Sequence, residues 1–448
     1  MDKPIISGSG IRGVFGSSLT VESATAFAAC FGEMSGSGEV VMGRDTRSSG
    51  EAVEAAVVAG LCSVGCRPVL LGVVPTPTVQ LETIRLGAAG GVAVTSSHNP
   101  GDWNALKLIG PDGVFLRAPG RAILLEMLSR PRKTADFRTV GKPLQLPGSV
   151  ERHALAAASL PWVAREGRPL RAVLDVTGGT ASTLAPALLD ILGIAHTTIN
   201  GGMLSDGSFP RVAEPTAENL VDLSAAVAAA GADVGFGFDP DGDRLALVAG
   251  DGFILGEEHT VALALDCLLP SRPGPAVVNL STSAMAADAA TRHGRELFRS
   301  PVGEVNVVEE MEARGSDAGG EGNGGAIDRP FHPGRDSAVA MACVVTLMRR
   351  SGCSLRELAD SFPHYSMMKR RVQPTLPFGE LAQALEAVFG KPDDLRDGLW
   401  FAREGGWMHI RPSGTEPVVR FIAENRDPEA VRSQFERFER IVSGRCAE

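Results

Sequence analysis

Short apolar runs rich in Val, Leu and Ile alternate with longer Ala- and Leu-rich stretches through about the first 365 residues, which predicts strands alternating with helices in α/β layers. The run at 40–42 ends on Gly43-Arg44-Asp45 and precedes a predicted helix at 51–64. A strand at 69–74 follows, then Pro75 and Pro77 ahead of another helix. A strand at 92–94 runs directly into Thr95-Ser96-Ser97-His98-Asn99-Pro100. After the proline-bearing stretch at 143–147 the pattern restarts. Strand 171–176 leads into Thr177-Gly178-Gly179-Thr180 and a helix, and the apolar run 234–238 is joined to strand 245–248 by a loop at 239–244. A third unit opens near Gly252, carries a strand at 276–280, and includes the glycine-rich segment 319–325.

Beyond Tyr365 the rhythm changes. A basic strand at 367–372 precedes a helix at 378–389, and strands are predicted at 399–403, 407–410 and 418–423. A last helix takes Asp427 as N-cap and Pro428 at its first position; Val431, Phe435, Phe438 and Val442 form one apolar stripe along it. The chain thus reads as three α/β domains (1–147, 148–251, 252–365) and a smaller α+β domain (366–448).

Composition narrows the partners. Lys+Arg 43 against Asp+Glu 53 gives a net charge of −10, which disfavours non-specific binding to nucleic acid or an anionic membrane. An anionic small molecule would need a local cluster of Arg and Lys. The first ten residues lack a signal-peptide apolar core, and no apolar run reaches membrane-span length. Seven scattered Cys, including Cys62 and Cys66 one helical turn apart, read as small core residues in a reducing, cytoplasmic setting.

Four segments carry candidate chemistry. Ser97 follows a strand in 95–100, where its hydroxyl is exposed and His98 and backbone N–H groups can stabilise an anion on it; the bland alternative is a polar turn. Asp239, Asp241 and Asp243 place three carboxylates at i, i+2 and i+4 in a tight loop, an arrangement that repels itself unless a cation neutralises it. Oxygen ligands point to Mg²⁺ or Ca²⁺. An EF-hand is excluded because Arg244 and Gly250 stand where it requires Gly and Glu, so Mg²⁺ is expected. Five glycines in 319–325 let backbone approach a ligand, leaving Glu321 and Asn323 to hydrogen-bond it; a flexible surface loop is the alternative. Finally, Arg411, Ser413, Gly414, Thr415 and Arg420 supply two guanidinium forks, two hydroxyls and exposed amides, a cradle suited to a phosphate dianion. Gly8-Ser9-Gly10-Ile11-Arg12-Gly13 matches a dinucleotide fingerprint only in letters, since no βαβ unit or acidic ribose reader accompanies it; Arg12 there reads instead as a phosphate-facing cation.

In this order and spacing, the serine loop, Asp-Pro-Asp-Gly-Asp-Arg at 239–244, the Gly-Glu sugar loop and Arg-Pro-Ser-Gly-Thr-Glu-Pro at 411–417 resemble the α-D-phosphohexomutase family over essentially the whole chain. Gly10-Ile11-Arg12-Gly13, Gly43-Arg44-Asp45-Thr46-Arg47, Asn104 and Lys107 fit as well. The resemblance implies four domains around a central cleft, the last able to rotate, with mixed sheets in the first three. It implies a phosphoserine at Ser97, Mg²⁺ held by Ser97, Asp239, Asp241 and Asp243, and catalysis involving Arg12, His98 and Lys107. Substrate binding falls to Arg244, Glu321, Asn323, Arg411, Ser413, Gly414, Thr415 and Arg420. Many bacterial members end the sugar loop in a histidine implicated in acid/base work; here Gly325 takes that place, and His332 is a candidate substitute or a structural residue.

The expected reaction interconverts hexose 6-phosphate and hexose 1-phosphate of the glucosamine, mannose or glucose series through a hexose 1,6-bisphosphate that also serves as activator. Lys107 is expected to assist proton transfer with its pKa depressed by neighbouring cations. A sugar-phosphate-binding or regulatory protein and a sugar-phosphate phosphatase are the rival readings, and the expected assembly is a monomer or homodimer.

Overall fold

A computed structural model describes residues 4–8, 10–132, 134–413 and 418–443. Its strands form four separate sheets of seven, five, four and four strands. In the first, Glu39–Arg44 lies between Arg67–Val73 and Gly90–Val94 in parallel, while Gly90–Val94, Trp103–Ile109, Gly10–Val14 and Ile5–Ser7 continue antiparallel. Strand alternation decides the layers. Val40, Met42, Val92 and Val94 face helices Val21–Met34 and Gly50–Ser63, whereas Val41, Ala93 and Ile109 face the other way, toward residues that include Val305 and Val308 of the third unit.

Gly10–Val14 pairs back on Ile5–Ser7 as a hairpin strand, so the fingerprint-like segment has no βα turn; Ser9 lies outside the described residues. Arg12 and Lys107 therefore sit on strands rather than loops, in neighbouring strands of one sheet.

The second sheet runs Ile254–Gly256, Leu245–Ala249, Val234–Phe238, Arg171–Asp175, Ala195–Ile199, with the acidic loop bridging its antiparallel central pair. The third sheet is mixed and ends in the hairpin Ala318–Glu321 with Gly325–Asp328. That hairpin excludes the flexible-loop alternative for the glycine-rich segment: its two buried strands are joined by a short turn at 322–324. Glycines of both strands and of the turn allow close packing against protein. A Cβ on Gly324, which has φ +88°, would overlap the carbonyl oxygen of Leu245, and Leu245 N–H donates to Gly324 O at 3.1 Å.

The fourth sheet is wholly antiparallel, covered by helices Phe378–Phe389 and Pro428–Val442. Asp427 caps the latter by accepting from Glu429 N–H, and Val431, Phe438 and Val442 are buried with Phe435 packed beside them. Among the described residues no helix is long and apolar enough to cross a membrane.

Candidate active site

The sheet ends bring the serine and acidic loops into contact. Ser97 Oγ donates to Asp239 Oδ2 at 2.8 Å, across 142 residues of sequence. Ser97 adopts φ +50°, a left-handed conformation that costs a non-glycine residue energy and persists only where its surroundings enforce it. The enforcing group is Arg47, fully buried. Its Nε donates to Asp45 at 2.8 Å, while Nη2 donates to the Ser97 carbonyl at 2.9 Å and Nη1 to the carbonyls of Pro100 and Trp103. Asp45 in turn accepts from Thr95 Oγ1 at 2.6 Å, and Thr95 Oγ1 accepts from Ser97 N–H. The motif at 43–47 alone does not reveal this role of Arg47, which depends on contacts with Ser97, Pro100 and Trp103 some fifty residues on.

Asp239, Asp241 and Asp243 are all buried and offer ligand oxygens within 4.8 Å of one another. Their surroundings are asymmetric. Lys107 Nζ donates to Asp241 Oδ2 at 2.5 Å and Asp243 Oδ2 at 3.3 Å, and Thr76 Oγ1 donates to Asp241 Oδ2 at 2.5 Å. Oδ1 of Asp241 and Oδ1 of Asp243 are buried with no hydrogen-bond partner. Burial and the two neighbouring carboxylates push Asp239 well above the usual carboxylate range. Burial acts the same way on Asp241, but the Lys107 ammonium and the Thr76 hydroxyl overcome it and hold Asp241 low. Two buried carboxylate oxygens without hydrogen bonds, in a cluster of three acids, fit a hard divalent cation.

Lys107 itself corrects an expectation. Burial alone would depress its pKa, as Arg335 does, but Asp241 and Asp243 outweigh both and hold the ammonium above its ordinary value. His98 goes the other way: burial, then Arg244 and Arg12, keep its imidazole neutral. Arg12 Nη1 donates to Asn99 Oδ1 at 3.3 Å in the same serine loop. Arg244 Nε lies 3.8 Å from Asp239 and 3.6 Å from Asp243.

His98 and Arg244, next in sequence to Ser97 and Asp243, line a cleft of about 690 Å³ together with Gly322, Asn323, Arg411 and Arg420 among others, while Ser97 and the three aspartates are themselves buried and not among its lining residues. Arg411 and Arg420 are cross-strand partners, with Arg411 Nε held 3.0 Å from Asp397. Ser413 N–H donates to Val418 O; Gly414 and Thr415 lie outside the described residues. Glu321 is 3% exposed and does not line the cleft. Its Oε1 accepts from Asn279 Nδ2 and Gly303 N–H at 2.8 Å, and its Oε2 lies 3.1 Å from Arg335 Nη1. His332 also stays out of the cleft lining: buried, its Nε2 lies 2.9 Å from Asp336 Oδ2, an oxygen shared with His153. That arrangement is structural, since Asp336 caps helix Ser337–Ser351 through Ala338 N–H.

Two further charged groups of the cleft region carried no local signal. Arg335 contacts the acidic loop and the sugar loop together, and Lys369 of the fourth sheet reaches Glu257 and Glu258 on the cleft wall.

Family comparisons match this architecture unit by unit. The phosphoglucomutase/phosphomannomutase α/β/α domains I, II and III match residues 4–132, 152–252 and 256–365, and the C-terminal domain matches 368–441. The chain is 33% identical over 441 residues to a phosphoglucomutase/phosphomannomutase of Thermococcus kodakarensis, covering 95% of this chain and 96% of that one. It is 32% identical over 446 residues to a Methanopyrus kandleri protein named "Probable phosphoglucosamine mutase", covering 98% of each. A crystal structure of a phosphoglucomutase/phosphomannomutase family protein from Burkholderia thailandensis superposes with a TM-score of 0.83 at 25% identity, covering 98% of this chain and 97% of that one. With all four domains matched and both relatives spanned almost end to end, this chain belongs to the phosphoglucomutase/phosphomannomutase family of phosphohexomutases.

Proposed function

We infer that the protein interconverts hexose 6-phosphate and hexose 1-phosphate through a phosphorylated Ser97. The observation that carries this reading is the Ser97 hydroxyl 2.8 Å from Asp239, at a three-carboxylate cluster whose sequence neighbours His98 and Arg244 line the same cleft as the arginine pair Arg411 and Arg420. Asp239, Asp241 and Asp243, with an ester oxygen on Ser97, would hold Mg²⁺, whose charge lowers the cost of negative charge building up on a transferring phosphoryl group.

The chain's own groups account for the remainder. A sugar hydroxyl attacks the Ser97 phosphorus as the bond from phosphorus to Ser97 Oγ breaks; the proton given up by the hydroxyl ends on Ser97 Oγ, leaving a free serine and a hexose 1,6-bisphosphate. The bisphosphate turns end for end, Ser97 Oγ attacks its other phosphorus, the bond from that phosphorus to the sugar oxygen breaks, and the seryl proton passes to that oxygen as the product leaves with the serine rephosphorylated. Lys107, held protonated, and Arg12 counter charge at the transferring group, and the neutral His98 contributes through an N–H alone. Arg411 and Arg420, together with Ser413, Gly414 and Thr415, grip the phosphate that is not reacting. A cradle for one phosphate dianion accepts either end of the sugar, as a reorienting intermediate needs. Asn323 and the Gly322 backbone face the sugar; Glu321 supports them from behind the cleft lining.

Substrates of the glucosamine, mannose and glucose series all suit this site. Ser97→Ala tests the reading. It should abolish both the covalent phosphate seen by mass spectrometry and turnover in coupled assays of the three 6-phosphates. Turnover surviving in that variant removes the phosphoserine route, and release of free phosphate by the unmodified protein makes it a phosphatase instead.

A further inference from the structure

Three carboxylates from separate segments converge on one buried guanidinium. Arg335 Nη2 donates to Asp243 Oδ2 at 2.6 Å, Nε donates to Glu304 Oε2 at 2.9 Å, and Nη1 lies 3.1 Å from Glu321 Oε2. In the amide orientation that satisfies both its ends, Asn323 accepts from the same Nη1 at 3.0 Å. Glu304 is itself fixed by Gln80 Nε2 at 2.9 Å, from the first sheet's domain. Arg335 is 4% exposed and absent from the cleft lining, so it acts on substrate and ion only through these partners.

Its volume is as telling as its charge. A Cβ built on Gly325 would lie 2.7 Å from Arg335 Cγ and nearer still to Cδ. Any side chain at position 325 and the present course of Arg335 exclude each other. The glycine that ends the sugar loop is thus the space through which Arg335 reaches Asp243.

We propose that Arg335 is a positioning residue that sets the Asp243 carboxylate and the 321–323 turn of the sugar loop from one planar fork. By holding Asp243 Oδ2, it leaves Oδ1, which has no hydrogen bond and only Arg244 Nε at 3.6 Å, as the oxygen available to a divalent ion. By holding Glu321 and Asn323, it fixes the turn whose Gly322 and Asn323 line the cleft. A point charge on a flexible stem cannot meet three acceptors in one plane, so lysine conserves the charge and loses the function. The ion-binding half of this role rests on the function proposed above; the loop half does not.

Arg335→Lys in the full-length protein is the test, read by two measurements that need no turnover. Mn²⁺ affinity by calorimetry should weaken about tenfold or more, as loss of groups that orient metal ligands does. Backbone hydrogen exchange across 319–325 should quicken in parallel. A packing role alone would lower the melting temperature and leave the Mn²⁺ affinity of the folded protein unchanged, and that result overturns the proposal. Gly325→Ala provides a second variant should the lysine protein not fold: its methyl must displace the arginine stem, so both readouts should move the same way, and neither moving overturns the proposal again. Wild-type protein that binds no Mn²⁺ sinks the phosphoserine–metal reading instead; the exchange measurement then decides for or against Arg335 by itself.

Discussion

Lys369, on the first strand of the C-terminal sheet, sets its ammonium 2.8 Å from Glu258 Oε1 at the head of helix Glu258–Leu268, and 2.7 Å from Glu257. The pair joins the last domain to the third at the cleft wall, one residue layer from the sugar loop, since a Cβ on Gly322 would lie 2.7 Å from Glu258 Oε1. Other polar contacts cross the same boundary: Ser283 Oγ donates to Glu424, and Ser281 Oγ lies 2.9 Å from His409 Nδ1.

Glu258 pays for its position. Burial pushes its pKa up to about 7, against the opposing pull of Lys369. A carboxyl raised in the folded state contributes stability that is complete below the unfolded value near 4.5 and is lost as pH rises through about 7. Glu258→Gln has no such dependence. Its melting temperature relative to the wild type should therefore climb between pH 4.5 and pH 7 and level off above, as thermal denaturation across that range will read. A constant offset would mean that Glu258 is ionised at ordinary pH.

Arg47 is expected to be the costliest single residue of the serine loop. Replacing it with Met strips a buried partner from Asp45 and donors from three carbonyls, and breaking a buried pair of this kind costs about 3–5 kcal/mol. Urea denaturation should show that loss. Mass spectrometry should show little phosphate on Ser97, because the left-handed turn that presents the hydroxyl is no longer enforced. Full phosphate occupancy in Arg47→Met would mean that the loop is held by Thr95 and Asp45 alone.

The chemistry-bearing loops were legible because each is local: Ser97 in its turn, three acids within five residues, two arginines on paired strands. Regular elements were legible for the same reason, as at helix Phe378–Phe389 and strand Leu399–Arg403. What escaped is long-range. Arg335 meets Asp243 across 92 residues and Glu304 across 31, and no periodicity links those positions. The sign of the Lys107 shift escaped likewise. Cations do surround it, but the two carboxylates within hydrogen-bond reach decide the balance, and only the sheet geometry reveals that. At the glycines of 319–325 sequence does not separate close approach to a ligand from close approach to another strand, since both demand the same residue: Gly322 lines the cleft, while Gly324 lies against Leu245.

The acidic triad yields a prediction in which stability changes sign with a ligand. Without a divalent ion, Asp239 is buried beside two like charges, which penalises its ionised form. Asparagine at 239 keeps the shape, can still accept from Arg244 N–H, and removes one of the repelling charges. In chelator at neutral pH, Asp239→Asn should therefore melt above the wild type. Mg²⁺ reverses the order: an ion held at a hundred times its Kd stabilises the native wild type by about 2.7 kcal/mol, and the variant, short one anionic ligand, gains less. Thermal melts of both proteins with chelator and with excess Mg²⁺ give four temperatures whose crossing is the signature of an ion bound at this cluster. If the wild type is the more stable protein in chelator, the three carboxylates are neutralised by Lys107, Arg244 and Arg335 alone, and the triad is a structural ion-pair network rather than a metal site.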